Sequence, residues 1–80
     1  MTEIDVGFGF IAVPYDSVTL NGIYMRGLNG ELDPSKFAVV APNGKVLMGE
    51  DGKRPYCYTS IEDCRRDAQK LSEYDEFMTH

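Results

Sequence analysis

The sequence predicts an α+β fold: an antiparallel sheet of four or five strands built from hairpins, with one C-terminal helix packed on a face. Three observations carry this. Strong turn dipeptides punctuate the first two thirds, at Asn21-Gly22, Asn29-Gly30, Asn43-Gly44 and Asp51-Gly52; Asn and Gly tolerate the positive φ that two-residue hairpin turns require. Extended-type runs of apolar residues lie between them, whereas sustained helical periodicity begins only after Ser60. No helix separates the early strands, which excludes a parallel α/β sheet.

The first strand is expected over Val6 to Val13 and is ended by Pro14, which has no N–H for a ladder. Two-residue alternation puts Val6, Phe8, Phe10 and Ala12 on one face and Gly7, Gly9, Ile11 and Val13 on the other. Val18-Thr19-Leu20 and Ile23-Tyr24-Met25 then flank Asn21-Gly22 as a tight hairpin. Phe37 to Ala41 and Lys45 to Met48 flank Pro42-Asn43-Gly44 as a second. Tyr56-Cys57-Tyr58 reads as a short last strand with both tyrosines on one side.

For the helix, Ser60 is the expected N-cap, with Asp63 at the third helical position in a variant capping box. Ile61, Cys64, Ala68 and Leu71 form one apolar stripe at helical spacing. Tyr74, Phe77 and Met78 roughly continue it, so the helix ends near Ser72 or runs past Phe77. Glu62 with Arg66 and Asp67 with Lys70 are expected intrahelical pairs, each contributing roughly 0.2–0.5 kcal/mol.

Eighty residues make a single small domain, 1–80. Such a chain buries roughly 60–65% of its unfolded surface, which leaves a thin core and little material for a catalytic cavity. With 42% hydrophobic and 11% aromatic residues the chain is expected to fold. No apolar run reaches the roughly 18–20 residues that span a bilayer. The acidic start, Met1-Thr2-Glu3-Ile4-Asp5, lacks the basic region of a secretory signal, and a cytoplasmic location is expected. Cys57 and Cys64 are spaced as neither a redox C-x-x-C nor a zinc pair and read as two reduced thiols, with a disulfide between them as the alternative.

Catalysis lacks its tools. The one histidine, His80, is the last residue, so no Ser/His/Asp or Cys/His arrangement can be assembled around it. Glu50-Asp51 and Glu73, Asp75 and Glu76 lack the regular oxygen spacing of a calcium loop. No enzyme activity, cofactor or metal is expected.

The stretch Gly7-Phe8-Gly9-Phe10-Ile11-Ala12-Val13 resembles the aromatic RNP1 strand of cold-shock and RRM domains. The resemblance covers about seven residues. Val6 stands where the motif has a basic residue, Val13 where it has an aromatic, and the chain has no Trp. It implies single-stranded nucleic-acid binding by stacking on Phe8 and Phe10. That chemistry needs clustered Lys and Arg for the phosphates, whereas 13 Asp and Glu against 8 Lys and Arg leave a net charge of −5. The same residues match the dinucleotide pattern G-x-G-x-x-A, but strand character continues through Val13-Pro14 where that motif starts a helix. Arg65, Arg66 and Lys70, with Lys53 and Arg54, are interleaved with acids that largely cancel them.

The leading expectation is a non-enzymatic protein-protein interaction module. Tyr15, Tyr24, Tyr56, Tyr58 and Tyr74 offer rigid area with a polar handle, and Phe77 adds an apolar tip. Glu31, Asp33, Glu50 and Asp51 lie on turns, where they can meet a basic protein partner. In size, acidity and absence of catalytic groups the chain is similar in general character to small phage or mobile-element inhibitors, anti-CRISPR proteins included. Such a blocker suits a partner whose basic groove handles nucleic acid. No motif underlies the likeness, so no residue role carries over. Nucleic acid and membrane are not expected partners on this reading. A homodimer through an exposed sheet edge or the tyrosine face is a third possibility.

Overall fold

The stretch expected as one strand folds as two. In the computed structural model, which describes residues 3–19, 21–25 and 36–74, β1 is Ile4–Gly7 and β2 is Phe10–Pro14, joined by a reversal at Phe8-Gly9. Phe8 and Gly9 take φ of 58° and 83°, and positive φ at both central residues is what a type I′ hairpin turn requires. The register passes from Asp5↔Ile11 to Gly7↔Phe10, leaving Val6 as a one-residue bulge. The tip is held at two points. The Gly7 N–H donates to Asp5 Oδ1 over 2.8 Å. Gly9 lies so close to Pro42 that a Cβ there would sit 2.8 Å from its Cγ.

After β2 a short 3-10 turn, Tyr15–Ser17, leads into the Asn21-Gly22 hairpin. β3, Phe37–Val40, returns beside β2, giving an antiparallel sheet of order β1-β2-β3. The described residues therefore hold three strands rather than the four or five expected. Both expected hairpins turn where the dipeptides place them, but each keeps one ladder bridge, Val18↔Tyr24 and Val40↔Val46. The reason is that the chain divides its backbone bonds. The 45–47 arm bonds Val39 and Ala41 on one side, and on the other its Leu47 carbonyl accepts from Tyr56 N–H. Tyr58 in turn exchanges two 2.9 Å bonds with Phe37. The outer edge of β3 is thus satisfied by pieces of two segments, not by a fourth strand.

α1, Ile61–Leu71, packs across one sheet face. Its apolar stripe is the expected one: Cys64 and Ala68 are fully buried, with Ile61 and Leu71 half-buried against Val6, Phe10, Ala12 and Val39. Burying Phe10 there contributes about 2–3 kcal/mol. The Asp63 N–H donates to Ser60 Oγ at 3.2 Å, as an N-cap should. The reciprocal half of the capping box is not seen. Asp63 Oδ1 instead pairs with Arg66 at 3.1 Å, taking the arginine expected to meet Glu62. Asp67, expected beside Lys70, accepts a bond from Tyr58. α1 ends at Leu71; the expected continuation past Phe77 lies outside the described residues.

The second face of the sheet buries Val13, Ala38, Val40 and Val46 beneath Val18 and Tyr24 of the first hairpin. β3 is consequently buried on both faces. No buried side-chain nitrogen or oxygen among the described residues lacks a partner. No described helix is long and apolar enough to cross a membrane.

Candidate functional site

Four residues singled out from the sequence, Tyr15, Glu50, Asp51 and Tyr56, line one open groove of about 800 Å³. Each reaches it by a different route. Tyr15 leaves the end of β2, and its Oη donates to the Pro55 carbonyl over 2.8 Å, tying the 3-10 turn to the opposite wall. Glu50 and Asp51 are the central residues of a turn closed by Gly52 N–H to the Gly49 carbonyl. Asp51 Oδ1 accepts from Lys53 N–H at 3.0 Å, which orients the carboxylate. Tyr56 follows Pro55 and is 47% exposed. Its ring leans on that of Tyr58, with centroids 4.7 Å apart and planes at 58°.

The sequence reading misses the rest of this wall, because its residues are separated in the chain and carry no local pattern. Asp16, Lys36 and Arg54 line the same groove. Asp16, Glu50 and Asp51 make no ion pair among the described residues. Three carboxylates against two cations leave the groove one charge negative. A smaller notch beside it is lined by Tyr56, Cys57, Asp63 and Asp67, so the Tyr56-Cys57 ridge separates the two.

Tyr58 is corrected from a partner-binding residue to a core residue. It is buried, bridges β3, and its Oη donates to Asp67 Oδ2 over 2.7 Å. Burial, then the Asp67 bond and charge, push its phenol well above the usual tyrosine range, so it stays a proton donor. Burial, then the charges of Asp63 and Asp67, push the Cys64 thiol up to about 11. Cys57 is exposed, and both cysteines are free thiols.

Tyr24 faces elsewhere, its Oη donating to Glu3 Oε2 at 2.6 Å. Tyr74 is exposed beyond the end of α1, beside Asp67 and Glu73. Glu31, Asp33 and Phe77 lie outside the described residues. The two rings of the RNP1-like stretch do not share an exposed face: Phe8 is 55% exposed on the turn, while Phe10 is fully buried under α1. The turn at Phe8-Gly9 reverses the chain between them, so they form no two-ring stacking platform.

Among the described residues no three His, Cys, Asp or Glu side chains stand together as metal ligands. What the groove offers is an aromatic surface, hydroxyl groups and outward carboxylates. A lysine or arginine can be held there by charge and by a ring face. Compared with known protein families, with characterised proteins and with solved structures, the chain matches none of them.

Proposed function

We propose that this chain is a non-enzymatic interaction module that receives a basic segment of a protein partner in the groove between Tyr15 and Tyr56. One observation carries the reading: tyrosines from distant parts of the chain meet three carboxylates that make no direct ion pair among the described residues, in a groove left one charge negative by Lys36 and Arg54. Isolated surface acids merely aid solubility, whereas acids gathered around exposed aromatic area supply both steering and an anchor. The net charge of −5 favours approach to a positive surface throughout the encounter. We propose further that it acts in the cytoplasm, where free thiols such as Cys57 and Cys64 persist, as a small phage or mobile-element inhibitor whose anti-CRISPR-like character is one of size and acidity. Its target is a nucleic-acid-handling protein whose basic groove accepts carboxylates in place of phosphates.

The test is affinity capture from lysate with the tagged chain, with and without nuclease, read by mass spectrometry. The expected result is one stoichiometric basic protein that survives nuclease, is released by salt, and is lost with the Glu50→Lys, Asp51→Lys double variant. Recovery of nucleic acid with a scatter of nuclease-sensitive proteins overturns the reading. So does the absence of any partner at low salt.

A further inference from the structure

The turns at Asn21-Gly22 and Asn43-Gly44 close in the same way. In each, the glycine N–H donates at 2.9 Å to the carbonyl three residues before it, Gly22 to Thr19 and Gly44 to Ala41. A further bond joins the ends of each loop: Thr19 N–H to the Ile23 carbonyl at 2.8 Å, and Ala41 N–H to the Lys45 carbonyl at 2.7 Å. Both glycines lie in the left-handed region, at φ 83° and 89°, where a side chain would be strained. The two turns are a matched pair, and they differ in what holds the asparagine.

The difference lies in the N–H that follows each glycine. At the second turn Lys45 N–H donates to Asn43 Oδ1 at 3.0 Å, so the asparagine caps its own turn. At the first, Ile23 N–H donates to Thr19 Oγ1 at 3.1 Å, and the threonine has taken that place. The Asn21 side chain is exposed and makes no hydrogen bond among the described residues, whereas Asn43 is half-buried. The surroundings differ in the same sense. Around the second turn Val40, Ala41, Val46 and Leu47 are buried, and Pro42 packs on Gly9. Around the first, Ile23 and Met25 are exposed, Val18, Thr19 and Tyr24 are half-buried, and Gly22 meets the flexible Met48 side chain. Local opening of the turn therefore costs less at Asn21.

We infer that Asn21-Gly22 is a site of spontaneous deamidation in the folded protein, and that Asn43-Gly44 is protected from it. Asparagine before glycine carries its own reaction, because glycine has no side chain to keep its nitrogen from the neighbouring amide. The Gly22 nitrogen attacks Asn21 Cγ, forming an N–Cγ bond as the Cγ–Nδ2 bond breaks. Nδ2 leaves as ammonia, having taken up the proton that the Gly22 nitrogen gives up. Water then opens the cyclic imide at either carbonyl, giving aspartate or isoaspartate with no change of oxidation state. Either product adds one negative charge to a chain already at −5. It does so on the hairpin that covers Val13, Ala38, Val40 and Val46. No residue of either turn lines the groove between Tyr15 and Tyr56, so the inference stands apart from the proposed function.

The test is tryptic peptide mapping by mass spectrometry of the wild-type chain, aged at mildly alkaline pH both folded in buffer and unfolded in urea. Cleavage after Arg26, Lys36 and Lys45 puts Asn21 and Asn43 in separate peptides, and an unaged sample sets the zero point. In the folded chain the mass gain from amide to acid is expected roughly tenfold faster at Asn21 than at Asn43, the factor that one more hydrogen bond to break can supply. In urea, where no fold holds either amide, the two rates are expected to agree within about threefold. Isoaspartate is expected beside aspartate at position 21, resolved by chromatography. Equal rates in the folded chain, a faster Asn43, or an Asn21 that stays intact there while urea releases it each overturn the inference. A tenfold ratio that persists in urea overturns the role of the fold. Aspartate without isoaspartate means direct hydrolysis and overturns the attack by the Gly22 nitrogen.

Discussion

Tyr58 Oη donates to Asp67 Oδ2 over 2.7 Å, and this bond fastens α1 to the segment that closes the outer edge of β3. Both groups are shielded from bulk water, Tyr58 more than Asp67. A hydrogen bond to a charged acceptor is worth about 1.5–3 kcal/mol, more than a neutral one. Tyr58→Phe is therefore expected to lower stability by about 2 kcal/mol in urea unfolding. Asp67→Asn keeps an acceptor and is expected to cost about half as much. A loss below about 0.5 kcal/mol for Tyr58→Phe, which keeps the ring, would show that ring packing and not the charged bond holds this corner.

The same corner is expected to make the fold lose stability at alkaline pH. The Cys64 thiol is raised from 9.0 to about 11 in the folded chain, so the folded state holds its proton over a range in which the unfolded state releases it. Its contribution is complete below pH 9.0 and is lost as pH rises to about 11. At about 1.4 kcal/mol per pKa unit, the loss approaches about 3 kcal/mol. The Tyr58 phenol, ordinarily 10.0 and also raised, adds a second loss that begins later. Urea midpoints should fall from about pH 9 upward in the wild type. Cys64→Ala, though destabilised overall by lost packing, should stay level until Tyr58 begins to titrate. An unchanged onset in Cys64→Ala would remove the thiol from this account.

The Phe8-Gly9 turn gives a test of opposite sign. A non-glycine residue in the left-handed region costs roughly 1–2 kcal/mol. Phe8→Asn relieves part of this and is expected to raise stability by about 0.5–1 kcal/mol. Gly7 and Gly9 both have positive φ, but only Gly9 would bring a Cβ against Pro42. Gly9→Ala should therefore cost clearly more than Gly7→Ala, about 2–3 against about 1–2 kcal/mol, as strain and overpacking add. Thermal melts of the three variants decide the order. A destabilised Phe8→Asn would mean that the ring makes a contact that outweighs its backbone strain.

This turn also marks where sequence reading ran out. Val6, Phe10 and Ala12 alternate as one strand would, and all three do face α1. The pattern survives because the two-residue turn and the Val6 bulge together keep the periodicity of two through a reversal. The usable signal is the pair Gly7 and Gly9, both at positive φ, which a continuous strand does not require. The cap at Ser60, the stripe through Ala68 and the turns at Asn21-Gly22 and Asn43-Gly44 were legible because each rests on local chemistry within a few residues. The groove was legible only as a list of tyrosines and acids. Tyr15 meets Pro55 across 40 residues of chain, a contact set by β2–β3 pairing and the Met48↔Pro55 bridge. No local pattern encodes it, and none distinguishes buried Tyr58 from exposed Tyr56 two positions earlier.

Tyr15 and Tyr56 play different parts in that groove, and paired substitutions separate them. Tyr15 holds the wall through its hydroxyl, so Tyr15→Phe leaves the buried Pro55 carbonyl without that donor and should cost about 1 kcal/mol of stability. Tyr56 is exposed, its N–H bond to Leu47 is backbone, and its ring contributes only a tilted contact with Tyr58. Tyr56→Ala should therefore cost about 0.5–1 kcal/mol of stability. Against a basic partner the order reverses. Removing an exposed aromatic anchor is expected to weaken binding by about 2 kcal/mol, roughly 30-fold. The salt dependence should remain, because Asp16, Glu50 and Asp51 still face the partner. Tyr15→Phe should leave affinity within about threefold, the groove keeping its charges and both rings. Calorimetric titration of the captured partner, at two salt concentrations, reads both terms. Unaltered affinity for Tyr56→Ala would move the contact surface off this groove, whatever the partner proves to be.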